Sequence, residues 1–283
     1  MRLHVLAACA ILPLTSCALV PYKDAAKRPI VPVITLDADA GVSVAQAQPV
    51  RPVAPSASSQ AVAVGGTAFF AIPIDSESQP LPRIDCREKL SQEDDLARSM
   101  IEQRMNEGSN YAAYAQVQAL PSNVASVALL RADILRRLGL PEAARWYQAL
   151  LMTCMAGQAN HGLGLMAVQR QDYELARQYL VEAVRLQPAR ASAHNDLGLV
   201  YLFLRQDRQA EFELRTASEL VPGDRQSSLN LALLALVRGD AAVWWGWRER
   251  LVLGDNERAS LDAMCRQVSQ RRGAATCPIN PAL

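Results

Sequence analysis

From about residue 88 onward, apolar residues recur three and four positions apart, the spacing of helices that bury one face. The pattern predicts a first pair of helices over 91–106 and 111–120, interrupted at Gly108. Beyond it an internal period of 34 residues sets in. With Gly157 as position 1, Leu163, Gly164, Ala167, Ala176, Leu180, Ala183 and Pro188 fall at positions 7, 8, 11, 20, 24, 27 and 32. Leu197, Gly198, Tyr201, Ala210, Leu214, Ala217 and Pro222 occupy the same places one period later. Small residues at 8, 20 and 27 let two antiparallel helices approach closely. Large apolar residues at 7 and 24 fill the space between them, and proline at 32 stops the second helix.

Weaker copies flank this pair. Leu138, Gly139 and Ala144 fit positions 14, 15 and 20 of a repeat beginning near Ala125 and shortened by two residues. Downstream, Leu231, Ala232, Gly239 and Asp240 hold the register, but Trp244, Trp245 and Trp247 break it and mark a terminal repeat. A last helix over 257–272, with Leu261, Met264, Cys265 and Val268 at helical spacing, is expected to cap the open end. The expectation is an all-α solenoid of five helical hairpins plus a cap, spanning 87–272, with a tail over 273–283.

This register resembles the tetratricopeptide repeat. The resemblance implies that first helices line a concave face, through positions 2, 5, 9, 12 and 13. Carried over residue by residue, these are Gln158, His161, Leu165, Val168 and Gln169; then Ser192, Asn195, Leu199, Leu202 and Phe203; then Gln226, Leu229, Leu233, Leu236 and Val237. The lining is apolar in its middle and holds no Lys or Arg, so clamping of a terminal carboxylate is not expected. An amphipathic helix or an extended apolar segment of a protein partner suits such a groove, unless these side chains pack within the solenoid or under the cap helix.

The region before residue 88 reads differently. An apolar run over 3–14, interrupted by Pro13, is too short for a mature membrane span and reads as a signal over 1–16. Leu14-Thr15-Ser16-Cys17 resembles the bacterial lipobox, with Cys17 as lipid attachment site; Leu6-Ala7-Ala8-Cys9 is a poorer match because little apolar run precedes it. In the resembled lipoproteins Ala18, in place of Asp, points to the outer membrane. Nine prolines between Pro21 and Pro82 make 17–86 a tether, since proline removes amide donors and favours extended chain. Within it, Val62, Val64, Phe69, Phe70 and Ile72 around Gly65-Gly66 could form a docking hairpin or a sticky patch.

The chain has 29 basic and 28 acidic residues, so nothing favours sequence-blind nucleic-acid binding. Its three histidines accompany no hydrolase, metalloprotease, phosphate-loop or dinucleotide motif. His194 is expected to face solvent or a partner, and Glu211, Glu213 and Glu219 to form a solvated face with Arg215. No enzymatic activity, cofactor or metal site is expected. Cys86, Cys154, Cys265 and Cys277 lack paired CxxC spacing and allow three full pairings. A short clip of Cys265 to Cys277 would leave Cys86 to staple Cys154; free buried thiols are the other reading.

Lipobox, proline-rich tether and repeats together resemble the tetratricopeptide lipoproteins of bacterial pilus assembly. Asn195-Asp196-Leu197-Gly198-Leu199, Leu214-Arg215-Thr216-Ala217 and Asn230-Leu231-Ala232-Leu233-Leu234 are most similar to the TadD family of Flp/Tad pilus assembly. The resemblance covers about residues 90–255. It implies a lipid-anchored outer-membrane protein facing the periplasm, with a secretin or other pilus-assembly component as partner. A scaffold of exopolysaccharide export or of another envelope machine is the alternative.

Overall fold

The computed structural model describes residues 80–274 and 276–279. The signal, Cys17, Cys9, most of the tether and the 61–74 segment lie outside the described residues. Eleven helices are present among those described: α1 (Gln92–Asn106), α2 (Asn110–Val117), α3 (Ala125–Arg137), α4 (Ala143–Leu150), α5 (Ala156–Gln169), α6 (Tyr173–Leu186), α7 (Ala191–Phe203), α8 (Asp207–Leu220), α9 (Arg225–Arg238), α10 (Ala241–Leu251) and α11 (Asp255–Arg271). Consecutive helices pair as five hairpins, and through α9 each second helix also packs on the first helix of the next hairpin.

The 34-residue register explains the packing within each hairpin. A Cβ on Gly164 would come within 2.7 Å of Leu180 Cγ, and one on Gly198 within 2.6 Å of Leu214 Cγ. Position 8 therefore has no room for a side chain where the leucine at position 24 crosses it. Ala176, Ala183, Ala210 and Ala217 are fully buried at the other two small positions, and Leu163 and Leu197 fill the space beside them. Tyr201 is half-buried at the edge of this core. Pro188 and Pro222 each stand two residues past the end of a second helix.

Local capping sets the helix boundaries. Asp172, Asp224 and Asp240 accept from the backbone N–H three residues on, at the starts of α6, α9 and α10. The turn inside four hairpins places position 15 in the left-handed region: Gly139, Gln171, Arg205 and Gly239, with φ of 71°, 59°, 62° and 73°. Two of the four carry a side chain there, where glycine would cost nothing sterically.

The last hairpin departs from the pattern. Trp244 takes the position that alanine holds elsewhere; it is fully buried, and its indole N–H has no hydrogen-bond partner. The helix that follows does not stack on α10. α11 instead crosses α9 and α7, the first helices of the last two hairpins.

At the other end, the stretch before α1 is docked. Asp85 N–H donates to Asn123 O at 2.9 Å, and Leu81 and Ile84 pack against the core around Tyr147 and Leu150. The docked stretch thus begins upstream of the solenoid start expected at 87. Cys86 is bonded to Cys154 in the loop after α4, and Cys265 on α11 to Cys277 in the tail.

Candidate functional site

First helices line the concave face, and α11 divides that face into two sectors. In the α7–α9 sector, Leu199, Leu202, Phe203, Leu229, Leu233, Leu236 and Val237 are buried in one cluster with Leu261, Met264, Cys265 and Val268 of α11. Val168 is buried in the same cluster. The apolar strip that the sequence presents as a partner-binding lining is here covered by the chain's own last helix. α11 thereby removes its own hydrophobic stripe and the α7–α9 strip from water together.

Polar contacts fix α11 at both ends. Arg225 at the start of α9 donates to Glu257 through Nη2 at 2.6 Å, and Gly254 N–H donates to Glu257 Oε2 at 3.0 Å. Arg225, with its neighbouring Gly254 N–H, holds the Glu257 carboxyl below the ordinary carboxylate range despite partial burial. At the other end Arg272 donates to Leu202 O at 2.7 Å and pairs with Asp207. Arg271 lies over the Tyr173 ring, which stacks on Phe203 at 4.2 Å.

Among the described residues, α11 does not reach the α3–α5 sector. Gln158, His161 and Leu165 are half-buried, Gln169 and Ser192 exposed. Gln226 is half-buried at the edge of α9 and donates toward Asn230 at 3.4 Å. Extending the register to Ala125 as position 1 adds Leu129, Asp133, Arg136 and Arg137 at positions 5, 9, 12 and 13. Applied only to the three clearest repeats, the register misses them, and with them the arginines of the lining. Tyr147 ties the middle pair together: its hydroxyl donates to Asp133 Oδ1 at 2.5 Å and accepts from Arg136 Nε at 3.2 Å. Burial, and then the Asp133 carboxylate, push the Tyr147 hydroxyl far above its ordinary range, so it stays a neutral donor. Gly162 makes this possible, because a Cβ there would meet the Tyr147 ring at 2.2 Å.

The remaining polar residues join successive first helices. His161 Nε2 lies 2.6 Å from Asp196 Oδ2, and Asn230 Nδ2 donates to Asn195 Oδ1 at 2.8 Å. Asn195 is therefore a buried inter-repeat contact, not a group presented to a partner. His194, expected at the surface, is also buried: its Nε2 faces Pro188 O at 2.9 Å and its Nδ1 faces Glu213 Oε2 at 2.6 Å. A carbonyl can only accept, so Nε2 is the nitrogen that donates, and Nδ1 faces Glu213. That joins α7 to α8.

The tetratricopeptide repeat profile matches residues 157–190, beginning at the glycine that opens the register. A curated relative, the TPR repeat-containing protein PA4299 of Pseudomonas aeruginosa, is 40% identical over 183 residues, covering 64% of this chain and 74% of that protein. Among solved structures, pilF of Pseudomonas aeruginosa is 21% identical with a TM-score of 0.49, covering 65% of this chain and 89% of that one. A tetratricopeptide repeat protein of Parabacteroides merdae is 18% identical with a TM-score of 0.46, covering 65% and 75%. With the profile, the curated relative and five stacked hairpins in agreement, the chain belongs to the tetratricopeptide-repeat family.

Proposed function

We propose that this chain is a non-enzymatic, lipid-anchored scaffold that binds a protein partner along the open α3–α5 sector of its concave face. One observation carries the reading. Leu129 and Leu165 lie half-buried on that sector, at lining positions, beside polar side chains already hydrogen-bonded to one another. An arrangement of this kind offers apolar anchors on a preorganised polar frame, so little side-chain entropy is lost when a segment lies across it. The fixed Asp133, Arg136 and His161 present both donors and acceptors, which suits an extended or helical peptide with mixed polarity.

The finer reading places the anchor at Cys17 in the outer membrane and makes the partner a secretin or another component of a Flp/Tad-type pilus. It is supported by the lipobox resemblance at Leu14 to Cys17 and by the similarity of the Asn195–Leu199 stretch to the pilus-assembly family. The test is a photo-crosslinking residue placed at Leu165 in cells, with the same probe at the exposed Phe212 as control. A secretin or pilus adduct specific to position 165 is expected. An exopolysaccharide-export component there would overturn the pilus assignment, and equal labelling at both positions would overturn the groove itself.

A further inference from the structure

The two ends of the solenoid are left unfinished in complementary ways. Up to α9, every second helix receives the first helix of the next hairpin: α2 receives α3, α4 receives α5, α6 receives α7, and α8 receives α9. α10 receives none. Among the described residues it packs on α9 alone, because α11 lies across α9 and α7 instead. Trp245 is consequently 42% exposed on α10, and Val252 just beyond it 82% exposed. Val252 caps α10 in the left-handed region at φ 44°, so it stands at the end of the helix, past the face that carries Trp245.

At the opposite end, α1 is a first helix with no second helix before it among the described residues. Leu96 and Met100, one turn apart, are 64% and 51% exposed on it. Terminal repeats of a solenoid ordinarily need a polar outer face to stay soluble and separate. Here both ends carry apolar side chains at the positions where stacking would continue. Their charges are also opposite. α1 carries four acids, Glu93, Asp94, Asp95 and Glu102, against Arg98 and Arg104. α10 carries Arg248 and Arg250 against Glu249, with Arg248 stacked over the Trp245 ring at 4.8 Å.

We propose that copies of this chain stack end to end, α1 of one copy taking on α10 of the next the place that a further first helix would take. The contact repeats the second-helix-on-first-helix packing found throughout the solenoid, with Leu96 and Met100 against Trp245 and Val252. The acidic rim of α1 faces the arginines of α10. Because the two surfaces differ, the contact is heterologous, and it extends beyond a dimer unless the rotation closes a ring. It does not depend on what the concave groove binds.

Sedimentation velocity on the full chain over a range of concentrations tests it. The weight-average mass should climb past that of a dimer. Leu96→Glu and Trp245→Glu should each weaken association at least about tenfold, since each sets a carboxylate against an apolar surface. Both side chains are exposed, so circular dichroism should match the parent; if either melts early, Met100→Lys and Val252→Lys replace them. An equimolar mixture of the two variants should form a dimer and nothing larger, because one copy keeps an intact α10 face and the other an intact α1 face. A chain that stays monomeric at every concentration overturns the proposal. So does a dimer that neither variant disturbs, or a mixture that remains monomeric.

Discussion

His161 and Asp196 meet at 2.6 Å across 35 residues of chain, and Asn195 and Asn230 meet at 2.8 Å across the same separation. In the 34-residue register both are a position 5 paired with the position 6 of the next repeat. One geometric slot between adjacent first helices is thus filled twice with different chemistry. Asn230 is fully buried, so both amides give up water to form the contact, and breaking it leaves a stranded group. Asn230→Ala should cost about 1–3 kcal/mol, the usual penalty for leaving a buried acceptor unsatisfied. Chemical denaturation checks it. A Asn195→Ala, Asn230→Ala double variant that costs no less than the sum of the singles would show that the pair is not coupled.

The small positions of the register make a second prediction. Ala176 and Ala210 are fully buried where second helices cross first helices. Ala176→Leu or Ala210→Leu should overpack that crossing and destabilise by about 1–3 kcal/mol. Ala112→Leu on the exposed face of α2 is the control and should melt with the parent. Unchanged melting of both core variants would refute the register.

Position 15 supplies a prediction in the stabilising direction. Gln171 and Arg205 hold φ of 59° and 62° at turns where Gly139 and Gly239 stand in the neighbouring hairpins. Arg205→Gly and Gln171→Gly should each relieve about 1 kcal/mol of left-handed strain, partly offset by the greater freedom of glycine when unfolded. A net gain of some tenths of a kcal/mol in urea denaturation is expected for each; a loss would mean that the side chain contributes more than the backbone strain it imposes.

The hairpin register was legible because helix crossing leaves its mark in residue size: Gly164 against Leu180 and Gly198 against Leu214 are steric facts that sequence records directly. Two of the four left-handed turns were legible for the same reason, through Gly139 and Gly239. Gln171 and Arg205 carry no such mark. The path of α11 was left open in the sequence, which allowed the lining either to await a partner or to lie under the cap helix. The spacing of Leu261, Met264, Cys265 and Val268 says that one face is buried, but not which surface receives it. Leu199, Leu202, Phe203 and Leu233 read identically whether they await a partner or lie beneath α11. His194 and Glu213 are separated by 19 residues on two helices, and their meeting depends on the hairpin turn between them.

That covering changes what a charge at Phe203 does. Phe203 is buried, stacked on Tyr173 beneath Arg271. Phe203→Glu should therefore destabilise the fold by about 3 kcal/mol or more, combining a lost core aromatic with a desolvated carboxylate. Leu165→Glu, on the open sector, should leave the melting temperature within a few degrees of the parent while reducing partner capture. If Phe203→Glu melted like the parent, α11 would not cover the α7–α9 sector.

Docking of α11 should respond to acid through Glu257. Its carboxyl is held below the ordinary range by Arg225 and by the Gly254 N–H. A depressed carboxylate contributes stability that is fully present above its unfolded value, about 4.3, and is lost as pH falls through the lower folded value. Arg225 also donates to Leu251 O at 3.1 Å, so releasing Glu257 frees the arm that clamps the α10–α11 link. Protection factors of the amides over residues 255–260 should hence be high at pH 6 and fall once the pH drops below the ordinary carboxylate range, before those of α7 do. Arg272 and Asp207 hold the far end of α11, which is why the readout belongs at the first turns. In Glu257→Gln those turns should exchange faster at pH 6 and lose the acid-dependent step. A parent-like step in that variant would assign the acid response to another carboxylate.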